Sequence, residues 1–237
     1  MKGKRKGIWL IAAGAAIVVA ALLLRGVAGE PTPPVSHQNR MPVIVLDAGH
    51  GGVDGGATSA DGVLEADINF DITMTLKGLF EDAGSQVILT RGRREGIFVN
   101  GENISVSKKQ DMEMRKQIIR AANADLVLSI HQNAFPDARA HGAQVFFQKD
   151  TGAEAWADAV QDQLAQALQD GNKRRPQEGD FFIRVGEVPA VLVECGFLSH
   201  PTEGKRLQDP AYQKQLADAI LQGTLSWWQA QNTAVQP

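Results

Sequence analysis

After Met41 the chain alternates short apolar runs with amphipathic stretches of helical period. Residues 42–47 (PVIVLD), 86–91 (QVILTR), 125–130 (DLVLSI), 142–148 (GAQVFFQ) and 188–195 (VPAVLVEC) have the length and apolar density of buried strands. Residues 66–83, 109–123, 154–168 and 212–229 carry apolar side chains at three- and four-residue spacing, as Ile68, Ile72, Leu76 and Phe80 do. A further short strand is expected at Phe181–Val185. Strands this apolar leave no face for water, so helices must cover both sides. The pattern therefore predicts a three-layer α/β domain over residues 42–232, with a mostly parallel central sheet between helices.

The residues ahead of this domain form a separate unit. Lys2, Lys4, Arg5, Lys6 and Arg25 fall in the first 25 residues, which contain no acid, and Ile8–Leu24 is an uncharged run of 17. A basic cluster before an apolar run predicts a cytoplasmic N-terminus and an exported body. Residues 1–29 fit either a cleaved signal peptide or a membrane anchor contacting the bilayer through residues 8–24. A Pro-containing linker (residues 30–41) follows. The chain's formal charge is −3; without the five leader cations, 19 basic face 27 acidic residues, so residues 26–237 carry −8. That sign disfavours nucleic acid as a partner. The lone cysteine, Cys195, excludes an intramolecular disulfide framework and a multi-cysteine zinc site.

Ligands of parallel sheets gather beyond the carboxyl ends of the strands. The first strand leads into His50, the third into His131, and the last ends near Glu194, while Glu65 opens the first helix after a Gly-rich loop. Zinc in hydrolytic sites takes three N or O ligands, His2Glu among them, and leaves a position for water. A separate carboxylate is needed to move protons. Two histidines and two glutamates complete such a set for a single Zn2+.

Each residue also has a plain structural use. A His among glycines serves turns, and an acid at a helix start favours the helix dipole. Glu194 is harder to dismiss, because a carboxylate after Ala190-Val191-Leu192-Val193 is costly to bury unless paired or functional. His37 lies in the linker, and His141 and His200 flank turns, so they are expected in solvent. Cys195 is expected to point away from Glu194 into the core. The Gly-rich loop has Asp54 where a dinucleotide fingerprint needs its third glycine, and no P-loop occurs.

Taken in order, Val43–Gly52 (VIVLDAGHGG), Glu65, Ser129–Ala134 (SIHQNA) and Val191–Ser199 (VLVECGFLS) resemble the motifs of the Amidase_3 family, zinc-dependent N-acetylmuramoyl-L-alanine amidases. The resemblance implies His50, Glu65 and His131 as zinc ligands and Glu194 as the catalytic carboxylate. It also implies hydrolysis of the amide joining N-acetylmuramic acid to L-alanine of the peptidoglycan stem peptide. The short chain without wall-binding repeats looks like the CwlD type, which acts on the spore cortex during sporulation in the route to muramic δ-lactam. A protein activator is a further candidate partner, and the sequence leaves open whether one is needed. Two rival readings use the same residues: a zinc peptidase cutting within the stem peptide, and a non-catalytic peptidoglycan-binding protein with a relict site.

Overall fold

The computed structural model describes residues 40–95, 97, 104–181 and 185–233. The leader and nearly all of the linker, with His37, lie outside the described residues. In chain order the elements are β1 (Val43–Ala48), α1 (Glu65–Asp82), β2 (Gln86–Leu89), α2 (Ile104–Ala122), β3 (Leu126–Asn133) and β4 (Gln144–Phe147). They continue with α3 (Ala153–Leu168), β5 (Gln177–Glu178), β6 (Ala190–Phe197), α4 (Glu203–Arg206) and α5 (Pro210–Thr233). No helix among the described residues is long and apolar enough to cross a membrane.

The strands form one sheet in the order β2-β1-β3-β6-β4-β5. All neighbouring pairs run parallel except β4 with β6, which is antiparallel. The connection from β3 to β4 contains no helix, and without a crossover helix β4 enters the sheet in the opposite direction. The expected α/β architecture, mostly parallel with helices on both faces, is what the chain adopts.

Strand alternation gives the two faces different tasks. Ile44 and Leu46 of β1, Leu128 and Ile130 of β3, and Val193 and Cys195 of β6 point into one large core, which α1, α3 and α5 cover. There Trp156 is fully buried, donates its indole N–H to Thr224 Oγ1 at 3.0 Å and stacks on Trp227. The backbones of α3 and α5 come very close, because a Cβ at Gly223 would lie 2.6 Å from Val160 Cα. Only glycine fits that crossing. The residues in between, Val45, Val127 and Ala190, face the other way and pack with Ile119 of α2 in a much smaller cluster. Toward the carboxyl ends of the strands this second face turns polar, at Asp47, Ser129, His131 and Glu194.

Several boundaries differ from the sequence expectation. β3 does not stop at Ile130 but continues through His131 to Asn133, and β6 continues past Glu194 to Phe197. Each strand gives the other a backbone partner there, His131 opposite Glu194, before the register shifts beyond His131. The polar side chains read as a strand end are thus the solvent-side half of a continuing alternation. α2 begins at residue 104 rather than 109. The short strand expected at Phe181–Val185 falls mostly outside the described residues, which omit 182–184 and show Phe181 and Val185 outside any strand; among the described residues the edge strand is β5. It is a two-residue pairing of Gln177 and Glu178 with β4, which polar side chains satisfy as well as apolar ones.

A buried ion pair joins α2 to the carboxyl end of β1. Arg115 and Asp47 meet at 2.6 Å with side chains 1% and 2% exposed. Asp47 also accepts from Ser129 Oγ at 2.6 Å and Thr90 Oγ1 at 2.5 Å. Arg115 donates further to the carbonyls of Ala48 and His50. Burial pushes the Asp47 carboxyl up, but Arg115 and the two hydroxyls outweigh it and hold it at about 2, against 3.8 in an ordinary setting. A depressed folded value means the contribution is complete above about pH 4 and is lost as pH falls toward 2. Denaturant titrations should show about 2 kcal/mol of stability lost over that window. Asp47→Asn should cost about 3 kcal/mol at neutral pH, by stranding Arg115, and should lose less than the native chain on acidification.

Candidate active site

His50, Glu65 and His131 arrive from three elements. His50 sits in the turn after β1 at φ 59, a left-handed conformation that a non-glycine residue adopts only where its surroundings hold it. Here Arg115 binds its carbonyl from one side. Arg91, just after β2, grips the same turn through Ala48 O at 2.9 Å and Gly49 O at 3.3 Å, and reaches Ala66 O at 2.7 Å. Glu65 opens α1 and is 3% exposed. His131 projects from β3 opposite Glu194 of β6. Gly49 lets the His131 ring lie against the β1 turn, since a Cβ there would fall 2.3 Å from His131 Nε2.

One donor atom from each of the three residues lies within 4.8 Å of the others. Glu65 Oε1 is 3.2 Å from His50 Nε2 and 3.1 Å from His131 Nδ1, and the two rings meet edge to face at 5.0 Å. Glu65 is itself held rigidly. Its Oε2 accepts from the Ala57 N–H at 2.8 Å, and its Oε1 from the Gln132 N–H at 3.1 Å and Asn69 Nδ2 at 3.2 Å. Gln132 Nε2 donates in turn to Asn69 Oδ1.

The electrostatics favour a cation at the junction. Burial raises Glu65, but the His131 and His50 rings outweigh it and keep its carboxyl far below the usual range. Burial lowers His50, yet Glu65 and Asp54 together lift it to about 9. Glu194 goes the other way. Burial pushes it up to about 7, opposed by the charge of His131 and aided by that of Glu65. Its Oε2 is buried and has no hydrogen-bond partner among the described residues. Two imidazole nitrogens and one carboxylate oxygen are the donor set of a hydrolytic metal centre, with a partnerless carboxylate oxygen across the β3–β6 ladder from His131. The residues fit such an ion.

All four expected site residues are therefore brought together, and the two other described histidines are not. His141 lies on the surface, and His200 caps α4 by accepting the Glu203 N–H at 3.0 Å. Cys195 is fully buried on the opposite face from Glu194. Sequence reasoning missed the supporting groups. Asp54 Oδ2 lies 3.0 Å from His50 Nδ1, and Lys108 of α2 lies 2.7 Å from Asp54 Oδ1. The four-residue spacing from His50 to Asp54 was visible, but nothing in the sequence showed that the chain turns back there, as the Gly51–Asp54 bridge makes it do. A cleft of about 680 Å³ opens over His50 and His131, walled by α2 with Phe181 and Leu192.

A site of this kind, at the carboxyl edge of an α/β sheet, has the donor set and the placement of a hydrolytic metal centre. Residues 44–226 match the family Amidase_3, N-acetylmuramoyl-L-alanine amidase, and the chain belongs to that family. It is a peptidoglycan amidase. It is 33% identical over 189 residues to the germination-specific N-acetylmuramoyl-L-alanine amidase of Bacillus subtilis, covering 78% of this chain and 79% of that protein. The CwlD amidase of Clostridioides difficile, solved in complex with the GerS lipoprotein, matches with a TM-score of 0.76 and 36% identity, over 80% of this chain and 99% of that one. The amidase AmiC2 of Nostoc punctiforme matches with a TM-score of 0.68 and 29% identity, over 79% and 97%.

Asp54 fixes which nitrogen of His50 faces Glu65. Asp54→Ala should weaken divalent-metal binding about 10- to 100-fold by metal-buffered titration, with an unchanged far-ultraviolet circular dichroism spectrum.

Proposed function

We propose that the protein is a zinc-dependent amidase that hydrolyses the bond between N-acetylmuramic acid and L-alanine. The observation that carries this reading is the convergence of one donor atom each from His50, Glu65 and His131 within 4.8 Å, with the buried, partnerless Oε2 of Glu194 on the strand position opposite His131. His50, Glu65 and His131 would hold one Zn2+. When bound, the ion supplies Lewis acidity toward the scissile carbonyl and makes water a better nucleophile at neutral pH. Glu194 accepts the proton of the attacking water and returns it to the leaving amine of L-alanine. A carboxyl raised to about 7 by burial suits both halves of that transfer. The clasp of Arg91 and Arg115 on the β1 turn keeps His50 at a fixed distance from the other two, so little rearrangement is needed on binding.

The leader and the relatives support a cellular setting for this activity. A basic, acid-free start followed by Ile8–Leu24 supports export, with the domain working outside the cytoplasmic membrane, anchored or released. Likeness to a germination-specific amidase and to CwlD supports action on the spore cortex and a part in forming muramic δ-lactam. Because that CwlD was solved with a lipoprotein, a protein activator is a fitting partner here.

Glu194→Gln should bind zinc in the native stoichiometry yet lose at least 100-fold in cleavage of a muramoyl peptide; undiminished turnover would refute its role. His131→Ala should lower the zinc content of purified protein, and an unchanged content would remove it from the ligand set. Muropeptide analysis should reveal free peptides beginning with L-alanine; shortened stems would instead favour the peptidase. Cortex from a strain lacking the protein should lose muramic δ-lactam.

A further inference from the structure

The cleft beside the metal-ligating cluster is lined by eight residues of α2, and their charges are not balanced. Arg115 is matched by Asp47 and Asp111, each at 2.6 Å. Lys108 is matched by Asp54, and Glu113 by Arg120 at 3.1 Å. Every acid lining the cleft thus has a cationic partner. Lys109 and Lys116 also line it, and neither has an ion pair or hydrogen bond among the described residues. They stand seven residues apart, two helical turns, so their Cα atoms are about 10 Å apart on one side of α2. Each directly follows a residue anchored to the site turn, Lys108 or Arg115, and is rotated about 100° from it. The two lysines thus line the same cleft as His50 and His131, on a body whose net charge over residues 26–237 is −8.

Val53, Met112, Phe181 and Leu192 supply apolar lining to the same cleft. At about 680 Å³ the cleft is in the range of small-ligand sites, roughly 300–1,000 Å³, and holds a few residues of extended peptide. We infer that the peptide arm of the substrate lies along α2 in this cleft, with its free carboxylates on Lys109 and Lys116, so that the enzyme selects an acidic peptide. This rests on the amide-hydrolysing reading of the site and names the substrate class for it. Two separated ammonium groups complement two carboxylates spaced along one chain, whereas a neutral glycan offers them no counter-charge.

The test compares kcat/KM for a soluble muramoyl peptide with free carboxylates and for the same compound with those carboxylates amidated. The zinc-loaded native enzyme should prefer the acid about tenfold, from two partly solvated ion pairs. That preference should shrink as salt is raised. Lys109→Gln/Lys116→Gln should reduce it to under twofold, and Lys109→Glu/Lys116→Glu should reverse it. Cleavage of both compounds by the native enzyme with equal efficiency would overturn the inference while leaving the amidase reading intact. Retention of the preference in the double Gln variant would do the same. Failure of the native enzyme to cleave either compound would overturn the reading and the inference together. The native preference and its salt dependence need no variant, so a poorly folding mutant does not shield the idea.

Discussion

The buried pair of Arg115 and Asp47 is the contact on which the site depends. An unpaired charge at either position would be expensive to bury, so α2 can pack on the sheet only in the one placement that brings the two together. That placement also sets the carbonyls of Ala48 and His50 against a guanidinium and brings Lys108 to Asp54, which holds the His50 ring. One interaction thus docks a helix, stabilises a strained turn and orients an imidazole. Arg91 grips the same turn from the side of β2, where burial, with the charge of Arg115 next, lowers its guanidinium to about 10.

The two faces of the sheet divide stability from chemistry. Three helices and the main apolar core lie on one side, where even the cysteine next to Glu194 serves as packing. Among the described residues the other side has α2, a small apolar cluster and a charged cleft. Because side chains alternate along a strand, β3 and β6 build both at once: Ile130 and Val193 face the core, while His131 and Glu194, one residue further, face the cleft. The polar groups gain rigidity from a core they do not enter. The thinner cover on their side leaves room for a substrate.

The inner and outer charges of α2 also differ in kind. Asp111, Arg115 and Lys108 are engaged with the body of the protein and hold geometry. Lys109 and Lys116, without partners among the described residues, are left to meet a ligand in a body otherwise rich in acid. The helix closing the smaller core is thereby also the wall that the peptide arm would meet.

Much of this was legible in the amino-acid order. Apolar runs between amphipathic stretches determined an α/β sheet with helices on both faces, because neither kind of segment can leave its apolar surface in water. The positions of His50, His131 and Glu194 at or near strand ends, with Glu65 at a helix start, determined which residues would meet. The extent of β3 and β6 was not legible, because it depends on pairing with a neighbouring strand rather than on either strand's composition. Nor was the reversed β4. Only the tertiary structure decided that Asp54 turns back onto His50, that Arg115 finds Asp47 across 68 positions, and that two lysines of α2 border the cleft. Those are relations between distant segments, and a periodic pattern carries the direction of a side chain without carrying what lies opposite it.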